Sequence, residues 1–109
     1  MKIWVTHRFP AYHRWKEAPG EVKFLRNSHR HMFHVKLTIG VNHDDRDLEF
    51  FMLQKNLEMF CLATLKNQSD IGSCEMIAER ISLWARLEYP KRSFYQVEVS
   101  EDGENGAIV

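Results

Sequence analysis

The sequence predicts an α+β domain in which a four-stranded antiparallel sheet carries two helices on one face. Apolar and polar side chains alternate over residues 2–14, 28–41 and 94–100, as in strands with one buried face. Between the second and third of these stretches, apolar residues recur at three- and four-residue steps, as on helices. The element order is therefore ββααββ. At 109 residues, we expect one domain covering residues 1–109.

The first predicted strand spans residues 2–14 and is limited by Pro10. Because proline lacks an N–H for the strand ladder, we expect a bulge or an edge position there. Residues 15–26, which include Pro19 and Gly20, are expected to form a loop. The second strand spans residues 28–41. The side chains that share one face of these two strands are Ile3, Val5, His7, Phe9, Ala11 and His13, followed by His29, His31, Phe33, Val35, Leu37, Ile39 and Val41.

The first helix is predicted over residues 47–66, and Asp44, Asp45 and Asp47 suit its N-terminus. Ser73 is the expected N-cap of a second helix that ends before Pro90. A strand over residues 94–100, a turn at 102–106 and a short strand at 107–109 complete the order. The inward residues of the elements after residue 47 are predicted to be Phe50, Leu53, Leu57, Phe60, Thr64, Ile77, Ile81, Trp84, Tyr95, Val97 and Val99.

Charge and cysteine usage exclude several classes of protein. Fifteen basic and fifteen acidic residues give a net charge of zero, so we expect neither nucleic acid nor a membrane surface as partner. Cys61 and Cys74 lie in predicted helices without CxxC spacing, which is typical of reduced thiols in a cytoplasmic protein. No apolar run approaches the roughly 18 residues of a membrane span, and no targeting signal is visible.

Three histidines on the apolar strand faces are the candidate metal ligands. If the first two strands pair antiparallel, the end of one lies beside the start of the other, and His13, His29 and His31 converge. Three histidines with an open fourth position are the ligand set of a catalytic zinc site. An H-x-H pair alone is weak evidence for a metal site, since any two strand residues two positions apart share a face. His34 has the opposite parity, and His43 falls in a polar turn.

Five short segments, in order along almost the whole chain, form a further pattern. They are FPAYH at residues 9–13, NSHRHMF at 27–33, LEF at 48–50 followed by Leu53, SCE at 73–75 and VEVSE at 97–101. They resemble, in turn, the F-x-A-x-H, H-G-H-x-Y, V-D-F-x-x-L, T-x-E and V-x-V-x-E motifs of the 6-pyruvoyltetrahydropterin synthase and 6-carboxytetrahydropterin synthase family. Each motif is short, so the ordered set carries the resemblance.

The resemblance implies a T-fold, or tunnelling fold, whose subunits associate through their sheets into barrels, commonly as trimers stacked into hexamers. It implies Zn²⁺ on the three histidines and a substrate site between subunits of a homo-oligomer. There Glu101 would hold the edge of a pterin or purine-type ring, since a carboxylate accepts two parallel hydrogen bonds from the ring N–H and the exocyclic amine. Ser73 and Arg30 are the other predicted substrate-binding residues. The alternative for Glu101 is a solvated carboxylate at a strand end.

The chain departs from the family in its catalytic residues. Family synthases use a cysteine shortly before the H-x-H pair as an acid/base, but residues 24–28 contain none, and Leu25 lies about where it would fall. The histidine of the family's L-D-H segment has no counterpart between the helices, and Arg30 replaces the glycine of H-G-H. Moving a proton from carbon needs a positioned base. Glu21 is the predicted catalytic substitute, because some members of the family that the chain resembles use a glutamate near that point. A loop carboxylate beside Lys23 is also compatible with plain solvation.

Three functions are compatible with these residues. The first is a zinc-dependent lyase or synthase acting on dihydroneopterin triphosphate or a related pterin. The second is a module of the same fold that binds a purine, pterin or nucleotide without converting it, with Arg8, Arg26 and Arg30 available for phosphates. The third is an oligomeric scaffold with a structural metal or none.

Overall fold

The computed structural model describes residues 1–109 and has the predicted order of strands and helices. Strand β1 spans Lys2–His13, β2 His29–Gly40, β3 Tyr95–Glu101 and β4 Asn105–Ile108. Helix α1 spans Phe50–Cys61, and α2 spans Cys74–Glu88. Neither helix has the length and hydrophobicity needed to cross a membrane. The prediction of an α+β fold with a four-stranded antiparallel sheet is confirmed.

The strands lie in the order β1-β2-β3-β4, and each neighbouring pair is antiparallel. Strand β1 is thus an edge, which is where a proline is tolerated. Pro10 lies opposite Met32 and the register continues unbroken on both sides, so the edge position is confirmed and no bulge is present.

The helices cover one face of the sheet and enclose the core with it. Both strand faces predicted to be apolar point towards the helices, because the alternation places one set of side chains inward. The core cluster consists of Val5, Phe9, Ala11, Phe33, Val35, Leu37, Leu53, Leu57, Cys61, Leu65, Ile71, Cys74, Ile77, Ala78, Ile81, Ala85, Val97 and Val99. Trp84 and Tyr95 pack against it at its border, as their predicted inward faces require.

The first helix begins later than predicted. Glu49 is its N-cap, and its carboxylate accepts hydrogen bonds from the backbone N–H groups of Phe51 and Met52. These bonds hold the pKa of Glu49 below its usual value. Asp47, which was predicted to lie at the helix start, instead accepts from the backbone of Asn42 and pairs with Arg92. A carboxylate one residue before the helix can reach its free N–H groups, whereas Asp47 is too far upstream.

The buried row of the first helix differs from the predicted one. It runs through Leu53, Leu57, Cys61 and Leu65, in steps of four. Phe50 is 57% exposed at the helix start, so its predicted inward position is wrong. Thr64 is also exposed, because the chain after Cys61 widens into a π-helix over Leu62–Lys66. The hydroxyl of Thr64 donates a hydrogen bond to the carbonyl of Phe60. The wider turn changes which residues face the sheet.

The connection between β1 and β2 is more ordered than the predicted loop. Gly20–Arg26 forms a short 3₁₀ helix with a kink at Val22. The Arg26 guanidinium donates to the carbonyl of Ala18 at 2.6 Å, and the Trp15 N–H donates to the carbonyl of Leu25 at 2.7 Å. Together with the complete burial of Ala18, these bonds fold the segment back on itself.

The second half of the chain follows the prediction closely. The Ser73 hydroxyl accepts from the backbone of Met76 at 3.3 Å, as an N-cap does, and α2 ends before Pro90. Strand β4 starts at Asn105 rather than residue 107, since Gly106 pairs with Ser100. A Cβ at Gly106 would lie 2.0 Å from the carbonyl oxygen of Val99, so only glycine fits this close pairing.

The packing predicts that leucine-to-alanine substitutions at a buried and at an exposed position will lower the free energy of unfolding by different amounts. Leu57 is 0% exposed, whereas Leu87, on the outer face of α2, is 73% exposed. We expect Leu57→Ala to lower the free energy of unfolding by about 2–5 kcal/mol, because it removes buried methyl groups and leaves a cavity. Leu87→Ala should change it by less than about 0.5 kcal/mol. Urea denaturation measures both, and equal losses would contradict the core described here.

Candidate metal centre

The first two strands bring the three candidate ligands together at one end of the sheet. His13, the last residue of β1, lies directly opposite His29, the first residue of β2, and His31 follows on the same face. The ring centroids of the three imidazoles are 4.5, 5.0 and 5.2 Å apart. One nitrogen of each ring lies within 4.8 Å of the others. The predicted convergence of these side chains is therefore present.

Hydrogen bonds determine which nitrogen of each ring is free. The Nδ1 atoms of His13 and His29 lie 2.9 and 2.8 Å from the carbonyl oxygens of Gly72 and Asn27. The Nδ1 atom of His31 lies 2.7 Å from the Asp102 carboxylate. A carbonyl or carboxylate oxygen can only accept, so each Nδ1 carries the proton and donates it. With the proton on Nδ1, the Nε2 atom of each ring is the one available to a metal, and this is the tautomer that binds metals.

The carboxylate of Glu101 lies beside the ring nitrogens of His13 and His31. Glu101 lies at the end of β3, and its oxygens are 3.3 Å from the Nε2 atom of His13 and 3.8 Å from that of His31. The His13 Nε2 atom is buried and has no hydrogen-bond donor. Lone pairs that face one another without a donor are unfavourable unless a cation lies between them. The donor set therefore fits a divalent metal such as zinc, which prefers imidazole nitrogen and carboxylate oxygen.

The α1–α2 connection supplies the acceptor for His13. The Ile71 N–H donates to the carbonyl of Tyr12 at 3.1 Å, which joins the connection to β1 immediately before His13. Gly72 has a φ of 88°, in the left-handed region that glycine adopts without strain. The Asp70 carboxylate accepts from the Gly72 N–H at 3.0 Å. These contacts direct the carbonyl of Gly72 at the imidazole and so fix the ring orientation.

An open cleft of about 1070 Å³ adjoins the histidines. Its walls come from the residues after β1, the α1–α2 connection and the first turns of α2. Apolar surface from Trp15, Leu25 and Met76 alternates with the charged groups of Asp70 and Arg80. Because both His13 and His29 line it, a molecule in this cleft can contact a metal held by the histidines.

The other predicted site residues are distributed unequally around this cleft. Ser73 lines it, although its hydroxyl is engaged as the α2 cap. Glu101 lies against the histidines themselves. Arg30 lies between two cluster residues in β2 and therefore faces the opposite side of the sheet. Glu21 is exposed in the 3₁₀ helix and does not line the cleft. Within one chain, neither Arg30 nor Glu21 joins the histidines.

The two thiols and the remaining inward-facing strand histidine, His7, are unsuited to proton transfer at the cluster. Burial raises the pKa of Cys61 and of Cys74 to about 12, so both thiols are protonated at neutral pH. His7 shares the inward strand face but stacks on Phe9, with ring centroids 5.8 Å apart. Burial lowers the pKa of His7, which favours its neutral form.

Two residues of this centre were missed in the sequence. Asp102 contacts His31 across 71 residues, and Gly72 contacts His13 across 59. The hydrogen bond from His31, followed by that from the Met32 N–H, holds the pKa of Asp102 below its usual value. An available signal for Asp102 was its position directly after Glu101, at the end of a strand that would pair with the one bearing His31. A backbone carbonyl such as that of Gly72 leaves no signal in the residue pattern.

No protein-family model matches the sequence, and no curated protein matches it.

The geometry predicts that zinc binding depends on the three clustered histidines and not on the other histidines of the chain. Purified protein should bind about one zinc ion per chain, and His31→Ala should weaken binding by more than about 100-fold, since outer-sphere changes alone cost 10- to 100-fold. His34→Ala is the matched control, because His34 lies on the opposite strand face. Titration against a chromophoric chelator measures both variants. Equal zinc affinity in the two variants would exclude this centre.

Proposed function

We propose that this chain is a zinc-dependent protein of the tetrahydropterin synthase kind, which binds a pterin or purine-type ring beside its three histidines and acts on it as a lyase or synthase. The observation that carries the proposal is the convergence of His13, His29 and His31, with one nitrogen of each ring within 4.8 Å of the others, at the border of an open cleft. Two protein carbonyls and one carboxylate hold these rings in place. The motif order along the chain supports the same function.

The residues around the cleft provide the binding roles that the function needs. When bound, zinc would polarise a substrate oxygen. Trp15, Leu25 and Met76 offer apolar surface on which a flat ring can pack. Glu101 lies against the histidines rather than in the cleft wall, and it would accept hydrogen bonds from the ring edge once its carboxylate turns away from His13.

A second candidate function is binding without conversion, and the proton-transfer groups favour it. Leu25 lines the cleft about where the family has its cysteine. Neither thiol of the chain is ionised near neutral pH, and Glu21 lies outside the cleft. Asp70 is a carboxylate in the cleft wall, but it accepts a hydrogen bond from the Gly72 N–H. A protein with these groups can hold a ring or nucleotide tightly and leave it intact.

We further propose that the chains assemble into a barrel, as a hexamer of two stacked trimers, with the substrate site between subunits. Both outer strands, β1 and β4, carry unpaired backbone groups, and such edges pair with other chains unless they are protected. Trp4 on β1 and Ile108 on β4 are 58% and 69% exposed and lie on the uncovered face. If β4 of one copy pairs with β1 of the next, these two side chains lie on the same face of the joined sheet. Closure of the sheet removes both edges.

Incubation with dihydroneopterin triphosphate separates the two candidate functions. Zinc-loaded protein should release a new product that mass spectrometry detects, and His31→Ala should reduce its formation by at least about 100-fold because the ligand set is incomplete. The His34→Ala variant should retain the activity. Unchanged substrate, together with an intact purine or pterin released on denaturation, would instead support binding without conversion.

The barrel proposal predicts an effect of charge at one sheet edge. Ile108→Asp should shift the assembly to smaller species, because it places a carboxylate at the apolar junction. Met59→Asp is the matched control, since Met59 is exposed on the outer side of α1. Sedimentation velocity compares the two variants with the wild type. A monomeric wild-type protein would contradict the barrel.

A further inference from the structure

We propose that Asp102 is a positioning residue of the metal centre, which holds His31 in the metal-binding tautomer and increases its affinity for the cation. This inference rests on the proposed metal-binding function and adds a residue to it. Asp102 does not face the cleft, so its action on a bound molecule is indirect and passes through His31.

Asp102 is held on both of its sides. One carboxylate oxygen accepts from the Nδ1 atom of His31 at 2.7 Å, and the other accepts from the backbone N–H of Met32 at 3.0 Å. The Asp102 N–H in turn donates to the carbonyl of Met32 at 2.8 Å. Two hydrogen bonds of the carboxylate and one of the backbone thus fix Asp102 against β2, at His31 and at the next residue, Met32.

The turn between β3 and β4 produces this placement. Asp102 and Gly103 have φ values of 55° and 73°, and the Glu104 N–H donates to the carbonyl of Glu101 at 3.0 Å. Two positive φ values at an Asp-Gly pair are typical of a type I′ turn. Aspartate tolerates the left-handed conformation, so the same residue forms the turn and presents its carboxylate to His31.

His31 differs from the other two ligands in the charge of its partner. His13 and His29 donate to backbone carbonyls, whereas His31 donates to an ionised carboxylate. A charge-assisted hydrogen bond is roughly twice as strong as a neutral one. A carboxylate partner also makes the imidazole a more basic ligand. His31 is therefore the ligand whose orientation and donor strength depend most on a single side chain.

Two substitutions separate the charge of Asp102 from its hydrogen bond. Asp102→Gly removes the whole acceptor at a position where glycine adopts the positive φ without strain. We expect it to lower zinc affinity by about 10- to 100-fold. Asp102→Asn keeps an acceptor oxygen but loses the charge, so its loss should be smaller, up to about tenfold. Glu104→Gln, in the same turn without a side-chain bond, should leave the affinity unchanged.

Nuclear magnetic resonance of the metal-free protein at pH 8 gives a second readout. Two-bond correlations between ring protons and ¹⁵N should show the His31 proton on Nδ1 in the wild type and in Asp102→Asn. In Asp102→Gly, a measurable fraction should carry it on Nε2. Unchanged tautomer and unchanged zinc affinity in Asp102→Gly would overturn the inference.

The same data distinguish failure of this inference from failure of the proposed function. If the wild-type protein binds no zinc, the metal centre itself is excluded, and the increase in affinity ascribed to Asp102 is excluded with it. If the wild-type protein binds zinc and all three variants bind it equally, the centre stands and the positioning role is wrong.

Discussion

The register between β1 and β2 is the constraint on which the rest of the molecule depends. It places His13 opposite His29 at one end and Phe9 opposite Phe33 nearer the middle. A slip of one residue would turn the apolar side chains of a strand towards water and move its histidines to the other face. Burial of the core and assembly of the histidine cluster are thus selected by the same strand pairing.

The faces of the strands could be predicted from the sequence because a period of two leaves a visible pattern. That pattern was enough to bring the three histidines together and to place Val97 inward. The rest depended on contacts that a local pattern does not contain. The carbonyl of Gly72 reaches His13 only because the chain returns after α1, and Asp102 reaches His31 only through the β3–β4 turn. The π-helical turn at Leu62–Lys66 likewise left no signal in the apolar spacing.

The ligand cluster and the cleft beside it differ in how completely they are built. Each imidazole has an acceptor for its Nδ1 proton, so the cluster is organised before any cation enters. The cleft, in contrast, presents the apolar side chain of Leu25 and no ionised thiol. Binding of a ring needs surface and directed acceptors, whereas proton transfer from carbon needs a base at one atom. The chain meets the first requirement more fully than the second.

Pro10 has a consequence for the way in which this protein avoids uncontrolled growth. A long, straight sheet edge can template fibrils, because every backbone group is available to an incoming strand. Strand β1 is twelve residues long and lies at the edge, but its ninth residue, Pro10, has no N–H. A strand that pairs along this edge therefore lacks one hydrogen-bond donor at Pro10, which makes a continuous ladder of identical strands less stable. Pairing with a partner strand is therefore easiest along residues 2–9, and stacking of identical strands over the whole edge is disfavoured.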